Sequence, residues 1–334
     1  MRVIKVGQFG LERSSHWATD MKRLVLVGAL ALLPVRLFAQ SSNAQADAPP
    51  TTLPGHQLTF SLGAYDYVEP GDTRISIHGM KLGGEYTGTF LLSARQHWFA
   101  QANVRGAMGK TDYDGWCAPW FISPDRSSPN GYFLDLGDYS PCDDADNPDW
   151  YAEGRALIGK DFVRHEWSFS PEAGLGVRHL SNGLDDIAGF RTDDYLYLPV
   201  GVTAQTAVGS NSVLSFNFEY DHLLHGWQNT IDSALGGGDI PATPTAPAFT
   251  IDSFTDIAFD QHQGFGIRAS AKYDFNRRWS LEPYWIYWNV GDSTISDASV
   301  TFTVRGISAI EQFGALEPQN TTNEFGMKFS ISFR

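Results

Sequence analysis

Beyond residue 40 the chain has no apolar run approaching the roughly 18 residues that a membrane-spanning helix needs, so a helical membrane protein is excluded. Positive charge is scarce: 24 Lys and Arg stand against 38 Asp and Glu, a formal net charge of −14, which argues against nucleic acid as a partner. There are only two cysteines, Cys117 and Cys142. Two thiols fall short of a metal site, and in an exported chain they are expected to form a disulfide across the Pro, Asp and Gly-rich stretch that holds them. A helical period of 3.6 is sustained nowhere. No Ser/His/Asp set, Gly-rich phosphate loop or complete zinc motif occurs, and no cofactor is expected.

The one strongly apolar segment lies near the start, in "MKRLVLVGALALLPVRLFAQ". Lys22 and Arg23 precede an apolar stretch from Leu24 to Leu33, and Ala39 offers a small residue for cleavage, the layout of a secretory signal peptide. Met21 is the expected true start, with residues 1–20 a mis-called extension; an unusually long leading region is the alternative. Residues 1–39 carry six basic and two acidic residues, so their removal takes the formal charge from −14 to −18. Residues 40–55, small, polar and Pro-rich, are expected to be a flexible lead-in. Residues 56–334 then form one unit.

That unit reads as ten strands of period-2 alternation, near 57–67, 76–92, 97–110, 149–163, 166–180, 191–207, 212–228, 262–275, 278–291 and 322–333. Four connections are tight ("SARQHW", "FVRHEW", "AVGSNS", "FNRRW") and alternate with mostly longer ones, including 111–148, 229–261 and 292–321. Three of the tight turns are followed at once by tryptophan, Trp98, Trp167 and Trp279, which predicts an aromatic ring at one level, as at the interface of a membrane barrel. The export signal, the short-turn and long-loop asymmetry, and strands long enough to cross a bilayer point to an all-β, ten-stranded antiparallel transmembrane barrel of up-and-down order.

The chain ends in "NEFGMKFSISFR". Its Gly326, Phe329, Ile331 and Phe333 resemble the C-terminal signal by which bacterial outer-membrane barrels are recognised by their assembly machinery, although Arg334 follows the last aromatic. That resemblance implies export to the outer membrane of a Gram-negative-type bacterium, with the assembly machinery, lipid and lipopolysaccharide as partners. If the apolar faces meet lipid, the opposite faces fill the lumen with Lys81, Glu85, Arg105, Glu153, Arg155, Glu172, Arg178, Glu219, Asp221, Arg268, Lys272, Asp274, Glu282, Glu324 and Lys328. Charges of both signs buried together must pair, so a cross-linked ionic core with little free bore is expected.

Residues 135–149 hold six aspartates, of which Asp144 and Asp146 have part of a calcium-loop spacing; a solvated loop tied by the disulfide is the preferred reading. The layout of ten strands, five outer connections and four tight turns resembles the omptin proteases. Asp112 and Asp114, followed by Trp116, are similar to the omptin aspartate pair, and Asp260 and His262 have the spacing of the omptin Asp-x-His pair. The resemblance implies a water held between the two pairs, with His262 as general base, Asp260 orienting it, and Asp112 and Asp114 positioning the water. His222 and His225, beside Asp221, are rival imidazoles, expected on opposite faces of their strand. The leading expectation is a structural, adhesive or ligand-binding role through the outer loops, with an omptin-like endopeptidase and a narrow channel as alternatives. The extracellular ligand is not legible.

Overall fold

The computed structural model describes residues 3–5, 49–71, 75–138, 140–184, 189–209, 211–231, 238–276 and 278–333. Ten strands form the wall: β1 (Gly55–Glu69), β2 (Ile75–Ser93), β3 (Trp98–Cys117), β4 (Ser140–Lys160), β5 (Trp167–Leu184), β6 (Gly189–Val208), β7 (Ser212–Ile231), β8 (Gly264–Phe275), β9 (Trp279–Val290) and β10 (Asn320–Phe333). Each pairs antiparallel with its sequence neighbour. β10 also pairs with β1, from Thr321 opposite Val68 to Phe333 opposite His56, and the sheet closes. Closure leaves no open edge, the condition for a sheet surrounded by hydrocarbon.

Among the described residues the four tight turns each have one in the left-handed region: His97, His165, Gly209 and Asn276, at φ of 57°, 55°, 72° and 51°. Trp98, Trp167 and Trp279 are the first residues of the strands that follow three of them, so the expected tryptophan ring lies at the turn end. Above it the outer wall is apolar and bare: Phe60, Leu82, Met108 and Phe325 are 63–68% exposed. On the closing strand Phe325, Met327, Phe329 and Phe333 face outward as expected, while Glu324 is buried inside. Gly326 pairs with Gly63, and the Tyr284 side chain lies across both. A Cβ on Gly326 would collide with the Leu62 carbonyl oxygen and stand 2.8 Å from the Tyr284 hydroxyl, so this position of the C-terminal pattern has a packing reason for its glycine.

The middle of the lumen is filled by ion pairs among the charged residues expected there, while toward the turn end a cavity of about 520 Å³ stays open, against the expectation of little free bore. Arg268 is the hub, with Nη1 2.9 Å from Glu153 and Nε 2.7 Å from Asp221 and 3.1 Å from Glu219. Arg155 pairs with Glu219, and Lys328 with Glu85 at 2.8 Å. Tyr284 and Tyr151 both donate to Glu324 Oε1, at 2.7 and 3.0 Å. Lys81 lies on the Tyr65 ring and pairs with Asp149 at 2.6 Å.

Several expected boundaries shift. Residues 111–117 and 140–148, assigned to a loop, are paired strand: β3 and β4 run on together, and Cys117 and Cys142 bridge them with Cα atoms 5.7 Å apart. The disulfide thus joins two adjacent wall strands, and Asp149 at the end of the supposed acidic loop is a buried partner of Lys81. Residues Ile257–Gln261, also assigned to a loop, pair with Gly226–Thr230 and extend the wall above β8's start. Of the expected flexible lead-in, residues 40–48 lie outside the described residues. Thr52, however, is tied to Asp161, donating from its backbone N at 2.8 Å and its hydroxyl at 2.7 Å. The expected signal segment lies outside the described residues apart from Val3–Lys5, whose backbone pairs in parallel with Gly314–Leu316.

Breaking a buried ion pair leaves an uncompensated charge, whereas a half-exposed pair contributes little. Replacing the hub, Arg268→Met, is therefore expected to lower stability in detergent micelles by about 3–5 kcal/mol. Lys272→Met, which removes a more exposed partner of Asp274 3.5 Å away, is expected to change it by less than about 1 kcal/mol. Urea titration of both variants checks this.

Candidate functional site

The outer connections fold together. Phe249–Phe254, Ser296–Val304 and Ile307–Leu316 form one antiparallel sheet, with Gly238–Ile240 at its edge. The hairpin from Val304 to Ile307 turns on Arg305 and Gly306, both left-handed at φ 52° and 80°, the combination a tight two-residue turn demands. "SDASVTFTV" alternates cleanly, and its Ala298, Val300, Phe302 and Val304 are buried. They meet Phe249, Ile251, Phe254, Ala309, Phe313 and Ala315, together with Ile257 and Phe259 at the top of the wall. A second hairpin, Trp120–Pro124 with Tyr132–Leu136, adds Trp120, Ile122 and Leu134; Trp120 packs on Phe254 with ring centroids 5.8 Å apart. At the tip of that hairpin the Ser127 backbone N–H and hydroxyl both donate to Asp125, holding its carboxyl below the usual range.

This cap is fastened to the wall by backbone and hydroxyl bonds: Thr294 N to the Asp260 carbonyl at 2.9 Å, Ser296 Oγ to the Ala258 carbonyl at 2.6 Å, and Ser293 with Glu317 in both directions at 3.0 and 2.9 Å. Beneath it is a second buried ionic cluster. Arg191 Nη1 stands 3.3 Å from Glu69 and 3.6 Å from Glu317, and the Tyr67 hydroxyl donates to both carboxylates at 2.9 and 3.4 Å. Burial pushes the Glu317 carboxyl up to about 8; Arg191 pulls it down, and the neighbouring Glu69 pushes it further up. Neither the cap core nor this cluster was visible as a site in the sequence, where its members lie in segments assigned to loops or to strand ends.

The residues singled out for catalysis lie elsewhere. Asp112 and Asp114 are exposed, alternating with Thr111 and Tyr113, which are buried. Asp112 accepts from the Asp146 backbone N at 3.2 Å, and Asp114 is 3.7 Å from His78 on the neighbouring strand. Asp260 and His262 are likewise exposed, on either side of the fully buried Gln261. Both pairs thus face away from the lumen, on β3 and at the head of β8, five strands apart around the ring. They do not look at each other across the mouth, because strand alternation turns them outward.

Asp260 instead bonds His225 Nε2 at 3.0 Å, and the His225 ring lies 4.8 Å from that of His262 and 4.2 Å from Trp227. His225 reaches this outer face because an extra residue, Leu224, bulges from β7 where Leu196 opposes His225 and Tyr197 opposes Leu223. The simple rule that residues three apart face opposite ways therefore fails for His222 and His225. Among the described residues no group of three or more His, Cys, Asp or Glu side chains is placed to hold a metal ion; Asp144 and Asp146 are strand-borne, the first half-buried and the second exposed.

Neither a protein-family model nor a curated protein sequence matches the chain. Solved structures resemble its fold. The outer-membrane protease OmpT of Escherichia coli superposes with a TM-score of 0.47 at 10% identity, over 88% of this chain and 100% of that one. An outer-membrane channel of Pseudomonas putida gives 0.32 at 9% identity, over 88% of this chain and 100% of that one. The translocator domain of the autotransporter NalP from Neisseria meningitidis gives 0.32 at 8% identity, over 94% and 95%. Likeness at this level bears on no activity.

A buried acid whose folded-state value is raised stabilises below its unfolded value and loses that contribution as pH rises through the folded value. The cap's anchorage is therefore expected to be firm at pH 5 and to weaken progressively between about pH 5 and 8 as Glu317 loses its proton beside Glu69. Hydrogen exchange of residues 296–316, corrected for intrinsic rates, should show protection falling over that range, and Glu317→Gln should remove most of the dependence.

Proposed function

We propose that this chain is an outer-membrane barrel of a Gram-negative-type bacterium that serves as a rigid, non-conducting anchor, displaying a folded acidic cap for binding at the cell surface. The observation that carries this reading is the shared apolar core of the cap. Loops that only closed the barrel would not need Trp120, Phe254, Phe302 and Phe313 buried together in a unit of their own. The cap's described segments 120–136, 238–256 and 293–316 carry Asp125, Asp135, Asp239, Asp252, Asp256, Asp297 and Glu311 against Arg126 and Arg305, which favours a basic partner surface.

Membrane placement is supported by the bare apolar wall, the charged interior and the tryptophan ring at the turn end. In such barrels short turns face the periplasm and long loops the outside, which puts the cap at the cell surface. The buried ionic layer at Arg268, Glu153 and Asp221 disfavours a through-channel. The outward placement of Asp112, Asp114, Asp260 and His262 removes the geometric support for a shared water between them.

The test replaces residues 294–316 with a short Gly/Ser linker in cells displaying the protein. The barrel should still form, judged by heat-dependent migration in gels, while attachment to a polylysine-coated surface falls at least about tenfold. Attachment unchanged by the replacement would contradict the cap's role. Discrete conductance steps of the intact protein in planar bilayers would contradict the anchor reading.

A further inference from the structure

The lumen is not filled along its whole length. Below the Arg268 layer, toward the turn end, lies a cavity of about 520 Å³, within the size range of small-molecule sites. Its floor is the chain itself. Residues 49–54 run from the start of β1 to Asp161, between β4 and β5, and thus cross the turn-end opening from one side of the ring toward the other. Asp161 is buried and also accepts from Ser170 Oγ at 2.6 Å, so the strap is held by a carboxylate with three bonds rather than by a passing contact. The chamber is therefore blind above and strapped below.

Its lining has both hydrogen-bonding and charged groups with capacity left over. Gln101, Gln205, Asn217 and Ser270 offer amides and a hydroxyl along the walls. In the roof Arg105 is 6% exposed, and its Nε and Nη2 have no hydrogen-bond partner. Its nearest carboxylate contact, Glu153, is at 3.5 Å and already engaged by Arg268. The other cations facing the space are committed: Arg155 to Glu219, Lys328 to Glu85, and Lys272 to Asp274. On the anionic side Glu85, Glu219 and Asp274 are taken by those cations. Glu172 and Glu282 face the same space and make no ion pair or hydrogen bond among the described residues. A buried guanidinium with unused donors and carboxylates with unused acceptors, separated by amides, match a solute that carries one charge of each sign with polar atoms between.

We propose that the strapped chamber binds a small zwitterion of about tripeptide size, its carboxylate on Arg105, its ammonium on Glu172 and its amide groups on the polar walls. The compartment it opens to, the periplasm, rests on the orientation proposed above. Binding in detergent does not, so a chamber that binds in a protein later shown to sit otherwise leaves this proposal standing.

The experiment measures saturation-transfer NMR and calorimetry of triglycine against the detergent-solubilised chain. Triglycine should bind, and capping either end, as N-acetyl-triglycine or triglycine amide, should weaken binding at least about tenfold, the effect of losing one charge-assisted bond. Ser270→Trp, which fills the chamber, should abolish binding while the barrel keeps its heat-dependent migration; if that variant does not fold, Thr203→Trp serves the same purpose. Glu172→Gln should weaken triglycine but leave the already weakened N-acetyl form unchanged. No triglycine binding, equal binding of the capped forms, or undiminished binding by a folded, chamber-filled variant would each overturn the assignment.

Discussion

A bilayer offers no hydrogen-bond partner to a backbone, so a sheet that crosses one must satisfy every strand within itself and present hydrocarbon outward. The pairing of β10 with β1 and the outward placement of Phe60, Leu82, Met108 and Phe325 meet both demands together. Everything else in the molecule follows from that inversion. Because alternation sends one residue out and the next in, an apolar wall obliges a polar lumen. Polar side chains withdrawn from water persist only when paired, hence the Arg268 hub, the Glu324 tyrosine clasp and Lys81 laid between Tyr65 and Asp149.

The same constraint separates the molecule into levels. The ionic layer divides a strapped chamber at the turn end from the outer end, where Arg191, Glu69 and Glu317 lie buried under the cap. The cap obeys the opposite rule from the wall. Its Ile251, Val300 and Phe302 are packed inward away from water, as in a soluble sheet, although its strands continue directly from the wall at Ile257 and Phe259. The chain thus changes from an apolar exterior to an apolar interior within a few residues.

Alternation made the wall legible, because ten segments with period 2 and a tryptophan after three tight turns leave few other architectures. The charged lumen was legible for the same reason. Outer strand ends were not: Pro141, Asp143, Asp144 and Pro148 have loop composition, yet β4 carries them because β3 supplies a paired edge and Cys142 is bonded to Cys117. The cap was hidden because its core is assembled from three separate segments, rich in Ser and Thr, whose apolar positions find each other only in three dimensions. Ionic partners such as Arg191 and Glu317 are far apart in sequence, so no spacing announces them. The expected catalytic pairs differ from expectation in direction rather than position. Asp112 and Asp260 lie near the outer end as expected, but Tyr113 and Gln261 are the residues whose side chains are buried there, and the Leu224 bulge gives Asp260 a different histidine.

The inversion itself is tested most directly by nitroxide labels introduced one at a time through Phe60→Cys, Leu82→Cys, Met108→Cys and Phe325→Cys in protein reconstituted into bilayers. Power saturation should find all four readily relaxed by oxygen, which concentrates in lipid, and shielded from an aqueous nickel chelate. Relaxation of those labels by the chelate rather than by oxygen would mean that water, not hydrocarbon, surrounds this wall.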